Sequence, residues 1–137
     1  MADETDLGEL LATMRPRLLE GTYVFVTFAA GDPVPPDLDP VMRFREAEGL
    51  TIILDESAAM RTGLTGTFRS RMITLDIHSS LEAVGFLAAI TTRLAKAGMG
   101  VNPVSAFYHD HLFIPADRAE EAMALLRQLA DDAKGST

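Results

Sequence analysis

The three histidines of the chain are the residues whose types suggest the most chemistry. Two of them flank an aspartate in His109-Asp110-His111, where the alternation of a strand would put both imidazoles on one side. Imidazole and carboxylate groups bind zinc, but a structural zinc site normally needs four ligands. Only His78 remains to join the set, and the chain has no cysteine. We therefore interpret this run as a polar hairpin tip and expect no bound metal.

Nucleophilic catalysis requires a hydroxyl or thiol held against a base. The chain has no nucleophile-elbow motif and no glycine-rich phosphate loop after a strand. Ser79 and Ser80 adjoin His78, but neighbouring residues on a strand point to opposite faces, so this imidazole would not orient a serine. Glu46 and Glu48 fit a solvated turn better than a catalytic carboxylate pair. We predict that the protein is not an enzyme and uses no cofactor.

The composition is that of an ordinary globular chain, with 137 residues, 47% hydrophobic and 23% charged. Its formal net charge of −8 would repel phosphate backbones and anionic membranes, so we expect no nucleic-acid or membrane partner. The nearly apolar run 84–90 is far shorter than the roughly 20 residues that span a bilayer. The acidic first residues do not resemble a signal peptide, and the chain cannot form disulfides. We expect a cytoplasmic protein.

Hydrophobic periodicity and turn residues predict the elements of the first half of the chain. A proline-rich loop over residues 30–40 interrupts them, and Gly49 supplies a positive φ in the hairpin turn. The predicted elements are a helix over 7–14, strands over 22–28, 42–45 and 50–54, a short helix from about 55 to 61, and a weak extended stretch over 64–69.

The second half has the predicted order strand, helix, strand, strand, helix. Ser79 and Glu82 stand at capping-box spacing, so they predict the start of a helix that Gly98 ends. The predicted elements are a strand over 72–77, a helix over 79–97, strands over 101–107 and 111–114, and a last helix opened by Pro115 and Asp117. This order is one strand short of the βαββαβ ferredoxin-like unit.

Several runs of sequence resemble small bacterial tandem ACT-domain proteins, which are related to the regulatory ACT domains of aspartate kinases. In the second half the runs are 73–85, 94–102 and 108–115; in the first half they are 18–25 and 44–51. The resemblance implies an α+β fold of two ferredoxin-like βαββαβ halves, with antiparallel sheets and helices packed on one face. It places an N-terminal degenerate ACT-like domain at residues 1–69 and a C-terminal ACT domain at 70–137.

The same resemblance implies a regulatory protein that binds a small molecule, an amino acid above all, at an interface between ACT domains. In such domains the loop after the first strand and the second strand line the effector site. Amides at a helix N-terminus favour a carboxylate, a glycine permits close approach, and strand carbonyls accept from an ammonium. The implied ligand-binding residues are His78, Ser79, Ser80, Leu81, Glu82, Ala83, Val84, Gly85, Val104, Ser105 and Ala106. The alternative is that Ser79 only caps the helix and Gly85 only permits packing.

Two departures from the ACT pattern stand out. The chain ends about where the last strand of the second half should begin, and the proline loop occupies the place of a helix in the first half. We hypothesise that the N-terminal helix fills the place of that helix in a permuted arrangement. A sheet completed by the other half or by a second subunit would favour a homodimer. The alternative function is a ligand-free dimerisation or interaction module that acts on a metabolic enzyme.

Overall fold

The computed structural model describes residues 6–77 and 83–135. The predicted extended stretch 64–69 and the predicted strand 72–77 both contribute to one long strand over residues 67–76, and a strand at residues 15–18 was not predicted. The elements in chain order are α1 (Leu7–Thr13), β1 (Arg15–Leu18), β2 (Tyr23–Ala29), β3 (Met42–Arg45), β4 (Gly49–Asp55), α2 (Glu56–Arg61), β5 (Thr67–Asp76), α3 (Phe86–Lys96), β6 (Asn102–Ser105), β7 (Asp110–Pro115), a 3-10 helix (Ala116–Arg118) and α4 (Ala119–Gly135).

Contacts within the chain define two compact units. The N-terminal unit is Glu20–Arg71, and the C-terminal unit combines Met1–Leu19 with Met72–Thr137. Strand β5 therefore contributes its first half to one unit and its second half to the other. The expected domain boundary between residues 69 and 70 lies close to this division, but the assignment of residues 1–69 to one domain stays a prediction.

The N-terminal unit has the strand order β3-β4-β2-β5, with neighbouring strands antiparallel. This is the order of a ferredoxin-like βαββαβ unit in which α2 is present and the first helix is absent. The segment that replaces this helix, residues 30–41, is extended and turned because its prolines remove amide donors and fix φ. Helix α2 begins at a proper cap, since the Asp55 Oδ1 accepts from the Ser57 amide at 2.8 Å.

The buried side chains of β2 alternate along the strand and form part of the core of this unit. Val24, Val26 and Phe28 face inward together with Ile52 and Leu54 of β4. Because side chains alternate along a strand, one face of the sheet carries the whole cluster. Val34 and Leu38 from the proline segment, together with Leu50, Ala58 and Leu64, pack partly buried against it. The predicted hairpin is confirmed, with Gly49 at φ +155°.

The C-terminal unit has the strand order β1-β5-β7-β6. Strand β1 pairs antiparallel with β5, with Arg15 opposite Asp76 and Leu18 opposite Ile73. It takes the place of the last strand of a βαββαβ unit, so the segment missing from the C-terminal end is supplied by the N-terminal end of the same chain. This unit is a circularly permuted ferredoxin-like fold.

Helices α1, α3 and α4 share one core with the inward residues of β5 and β7. Among the described residues, fifteen are buried in that core: Leu10, Met14, Ile73, Leu75, Phe86, Ile90, Leu94, Met99, Leu112, Ile114, Ala119, Ala122, Met123, Leu126 and Ala130. The hypothesis that the N-terminal helix replaces the missing helix of the first half is wrong, because Leu10 and Met14 are buried in this other core. No helix in the described part of the chain is long and apolar enough to cross a membrane.

The start of α3 differs from the prediction. Residues 83–85 are not helical and the helix begins at Phe86, so a helix continuous from Ser79 is wrong over these residues. The proposed capping box of Ser79 and Glu82 lies outside the described residues. The buried residues of α3 are Phe86, Ile90 and Leu94, which recur every four positions and so lie on one face of the helix.

Candidate functional site

The predicted ligand-binding loop is described only in its second part. His78, Ser79, Ser80, Leu81 and Glu82 lie outside the described residues. Ala83 packs partly buried against the core of the C-terminal unit, whereas the Val84 side chain is 83% exposed. Gly85 is the N-cap of α3.

Gly85 adopts a left-handed backbone, with φ +91°. This conformation, and not a close approach by another backbone, is the reason for a glycine here: an added Cβ would find Leu7 Cδ2 at 3.4 Å as its nearest neighbour. The Ala89 amide makes the first helical bond, to the Gly85 carbonyl at 2.9 Å. The amides of residues 86–88 thus have no partner within the helix, and the helix dipole favours an anion beside them.

The predicted strand residues lie at the end of β6. Val104 is opposite His111 across the β6–β7 ladder. The Ser105 hydroxyl donates to Asp110 Oδ1 at 2.5 Å, and the Ala106 amide donates to the His109 carbonyl at 3.0 Å. These contacts close the hairpin, so the Ser105 hydroxyl and the Ala106 amide already have partners.

The strand that precedes the predicted loop and the strand that holds the second predicted group are not neighbours, since β7 separates β5 from β6. His109 connects the two strand ends. Its Nδ1 lies 3.2 Å from the Ile77 carbonyl oxygen, and its Nε2 lies 4.0 Å from Asp76 Oδ1. The sequence analysis considered His109 only as a metal ligand. In the structure its contacts connect the end of β5 to the β6–β7 hairpin.

The other histidine of the hairpin, His111, also has a hydrogen-bond partner. His111 Nδ1 lies 3.0 Å from the Thr74 hydroxyl, and the imidazole rings of His109 and His111 are 6.3 Å apart. Burial lowers the pKa of His111, and the nearby His109 and Arg17 lower it further, while Asp110 opposes them. Within residues 6–77 and 83–135, no three acidic or histidine side chains are grouped to hold a metal ion.

A cleft of about 520 Å³ opens beside the carboxyl end of β5 in the C-terminal unit. It is bounded by the end of α1, the start of β1 and the end of α4. The lining residues are Ala12, Thr13, Met14, Arg15, Asp76, Ile77 and Lys134.

The charges of this cleft match those of a zwitterion. Arg15 and Asp76 are directly opposed on paired strands, and the Asp76 side chain is 43% exposed. In the described part of the chain no carboxylate forms an ion pair with Arg15. Lys134 Nζ, 3.8 Å from Asp131, adds a second cation at the rim. Sequence reasoning missed this cleft, because strand pairing alone brings these distant positions together.

The chain belongs to the ACT-domain family. One ACT-domain family matches residues 2–71 and a second ACT-domain family matches residues 67–128, so the chain holds two ACT domains in tandem. The predicted tandem ACT organisation and α+β ferredoxin-like fold are confirmed. No curated protein matches the chain.

Solved structures show the same fold. A protein of unknown function from Vibrio cholerae, described as a possible transport protein, is 39% identical, with a TM-score of 0.80 over 90% of this chain and 95% of that chain. A protein from Agrobacterium tumefaciens is 19% identical, with a TM-score of 0.73 over 85% and 89%. The regulatory subunit of aspartate kinase from Thermus thermophilus is 13% identical, with a TM-score of 0.65 over 87% and 97%.

Proposed function

We propose that the protein is a non-catalytic regulator that binds a free amino acid in the cleft at the end of β5. The observation that carries this proposal is the pairing of Arg15 with Asp76 on adjacent strands, which puts a cation and a carboxylate side by side in the lining of the cleft. A carboxylate suits the ammonium of an amino acid, and a guanidinium suits its carboxylate through two parallel hydrogen bonds. The volume of about 520 Å³ leaves room for a side chain.

The position of the cleft agrees with the ACT fold. It lies where β5, the first strand of the C-terminal ACT domain, ends, and the loop that the sequence predicts as ligand-binding follows that strand. The amides of residues 86–88, which have no partner within α3, offer further donors for an anion. We also propose that the predicted loop residues, from His78 to Gly85, contribute to the ligand-binding site. We further propose that the protein acts in the cytoplasm.

Thermal unfolding in the presence of each of the twenty amino acids tests the proposal. A ligand at about a hundred times its dissociation constant stabilises the folded protein by about 2.7 kcal/mol, which shifts the unfolding midpoint by several degrees. The Asp76→Asn and Arg15→Gln variants are expected to lose this shift. Isothermal titration calorimetry then gives the affinity of the amino acid that produces it.

Arg17→Gln is the matched control. Arg17 lies on the same strand and the same face as Arg15, two residues further on, and does not line the cleft. It should keep the ligand-induced shift. Stabilisation by no amino acid, or an equal loss in the Arg15 and Arg17 variants, would overturn the proposal.

One observation favours the alternative, an interaction module. Phe107 and Tyr108 at the tip of the β6–β7 hairpin are 71% and 65% exposed, with ring centroids 5.1 Å apart in an edge-to-face arrangement. Exposed aromatic pairs are common at protein interfaces. A homodimer, or a complex with a metabolic enzyme, would use this tip together with β6, which borders only β7 among the described strands. Sedimentation of the wild type and of Phe107→Ser tests it, and a monomer in both cases contradicts the homodimer.

A further inference from the structure

The N-terminal unit has a groove at the position where a complete βαββαβ unit has its first helix. The groove has a volume of about 580 Å³ and is lined by Arg43, Arg45 and Leu50. Arg43 is opposite the buried Ile52 and Arg45 is opposite Leu50 across the β3–β4 ladder. Because opposed residues share a face, both arginines stand on the face that carries the core. The missing helix leaves that face uncovered at its edge strand.

The two arginines have no carboxylate partner in the part of the chain that the structure describes. This is notable in a chain with 20 acidic and 12 basic residues. Arg69 in the same unit pairs with Glu56, Nε to Oε2, at 3.0 Å. Glu46 follows Arg45 directly, but its carboxylate accepts a hydrogen bond from the Thr51 hydroxyl. The groove thus has two like charges, two positions apart on one face, and neither arginine forms an ion pair with a described carboxylate.

A second, less polar hollow adjoins the groove. Its volume is about 330 Å³, and it shares Arg45 and Leu50 with the groove. Phe28 and Val34 supply further apolar wall, the turn around Gly31 forms part of the lining, and Asp32 and Glu46 also border the hollow. A guanidinium therefore stands at the mouth of a mainly apolar hollow, which is an arrangement that suits an anionic head with an apolar tail.

We propose that this groove binds a small organic monocarboxylate, whose head lies against Arg43 and Arg45 and whose short apolar chain enters the hollow beside Phe28 and Val34. A carboxylate matches the planar fork of a guanidinium, and two such groups can share one head. The head needs no ammonium, because no carboxylate is among the described residues that line the groove itself; Asp32 and Glu46 lie in the lining of the adjoining hollow. The site is separate from the amino-acid cleft of the C-terminal unit and does not depend on it.

Calorimetric titration of the full chain with straight-chain monocarboxylates, from acetate to hexanoate, tests the proposal. Each added methylene should tighten binding about fourfold until the hollow is filled. The alcohols of equal length should not bind measurably, because they lack the charge. Inorganic phosphate should bind more weakly than the longer carboxylates, since it has no apolar chain.

Arg43→Gln and Arg45→Gln should each weaken carboxylate binding about tenfold, the loss expected for one charged hydrogen-bonded contact. Arg61→Gln removes the same charge from exposed α2 of the same unit and should change nothing. Unchanged melting curves would show that the variants fold. Arg15→Gln should also leave carboxylate binding intact, which separates this site from the proposed amino-acid site. Binding of no carboxylate, binding without chain-length dependence, or equal losses in the Arg45 and Arg61 variants would overturn the proposal.

Discussion

The two ACT units depart from the same fold in opposite ways. In the C-terminal unit β1 takes the position of the last strand, so four described strands form its sheet and fifteen described residues are buried in its core. The N-terminal unit has all its strands but lacks a helix, and its core cluster has six buried residues. A missing strand leaves backbone groups unpaired and must be replaced, whereas a missing helix only leaves a face partly uncovered. The open face is where the unpaired arginines lie.

Separating the C-terminal half at the predicted boundary should give the largest effect. A fragment of residues 70–137 lacks β1, Leu10 and Met14, so β5 loses a partner and the core loses two buried side chains, each worth about 1.5–3 kcal/mol. We expect it to be unfolded by circular dichroism. A permuted chain that joins residues 72–135 through a flexible linker to residues 6–19 should fold. A folded fragment 70–137 would contradict the permuted assignment.

Matched leucine truncations compare the two cores. Leu126→Ala in α4 should cost about 2–5 kcal/mol, because the side chain is fully buried among fifteen core residues. Leu54→Ala in β4 should fall at the lower end of this range, since the proline segment that covers its smaller cluster can settle into the cavity. Urea unfolding of both variants measures the difference. A Leu54 loss as large as the Leu126 loss would show that the proline segment is as rigid as a helix.

Alanine substitutions at two glycines of the N-terminal unit distinguish the cost of a left-handed backbone from the cost of steric overlap. Gly63 has φ +71° and open space around it, so Gly63→Ala should cost about 1–2 kcal/mol from the left-handed conformation alone. Gly49 also has a positive φ, but a Cβ there would overlap the Phe28 carbonyl oxygen. Gly49→Ala should therefore be clearly more destabilising in the same urea assay. Equal losses would mean that β2 and β4 can separate without cost.

The pH dependence of His111 is the smallest expected effect, and it belongs to the C-terminal unit. Its pKa is lowered, mainly by burial, so the unfolded chain takes up a proton that the folded chain resists. This contribution to stability is complete above the ordinary value of 6.5 and is lost as the pH falls below it. Unfolding free energies between about pH 7.5 and pH 5.5 should fall more steeply for the wild type than for His111→Gln. A histidine NMR titration with an unlowered pKa for His111 would contradict this.

Local sequence patterns were sufficient to predict most of the helices and strands. The alternation of β2, the turn at Gly49 and the cap at Asp55 were readable because each depends on neighbours within a few positions. The motifs around residues 73–85 and 94–102 indicated the ACT fold. The start of α3 was misplaced, because Ser79 and Glu82 have the spacing of a capping box although the helix begins only after the left-handed Gly85.

The sequence by itself determined the order of most helices and strands and the proline segment in place of a helix, since composition and periodicity are local properties. Its resemblance to tandem ACT-domain proteins implied the α+β class and the tandem organisation. Only the tertiary structure decided that β1 completes the C-terminal sheet, that Arg15 faces Asp76 and that Arg43 and Arg45 border an open groove. Strand pairing is set by burial over the whole chain, and it joins residues that no local pattern connects.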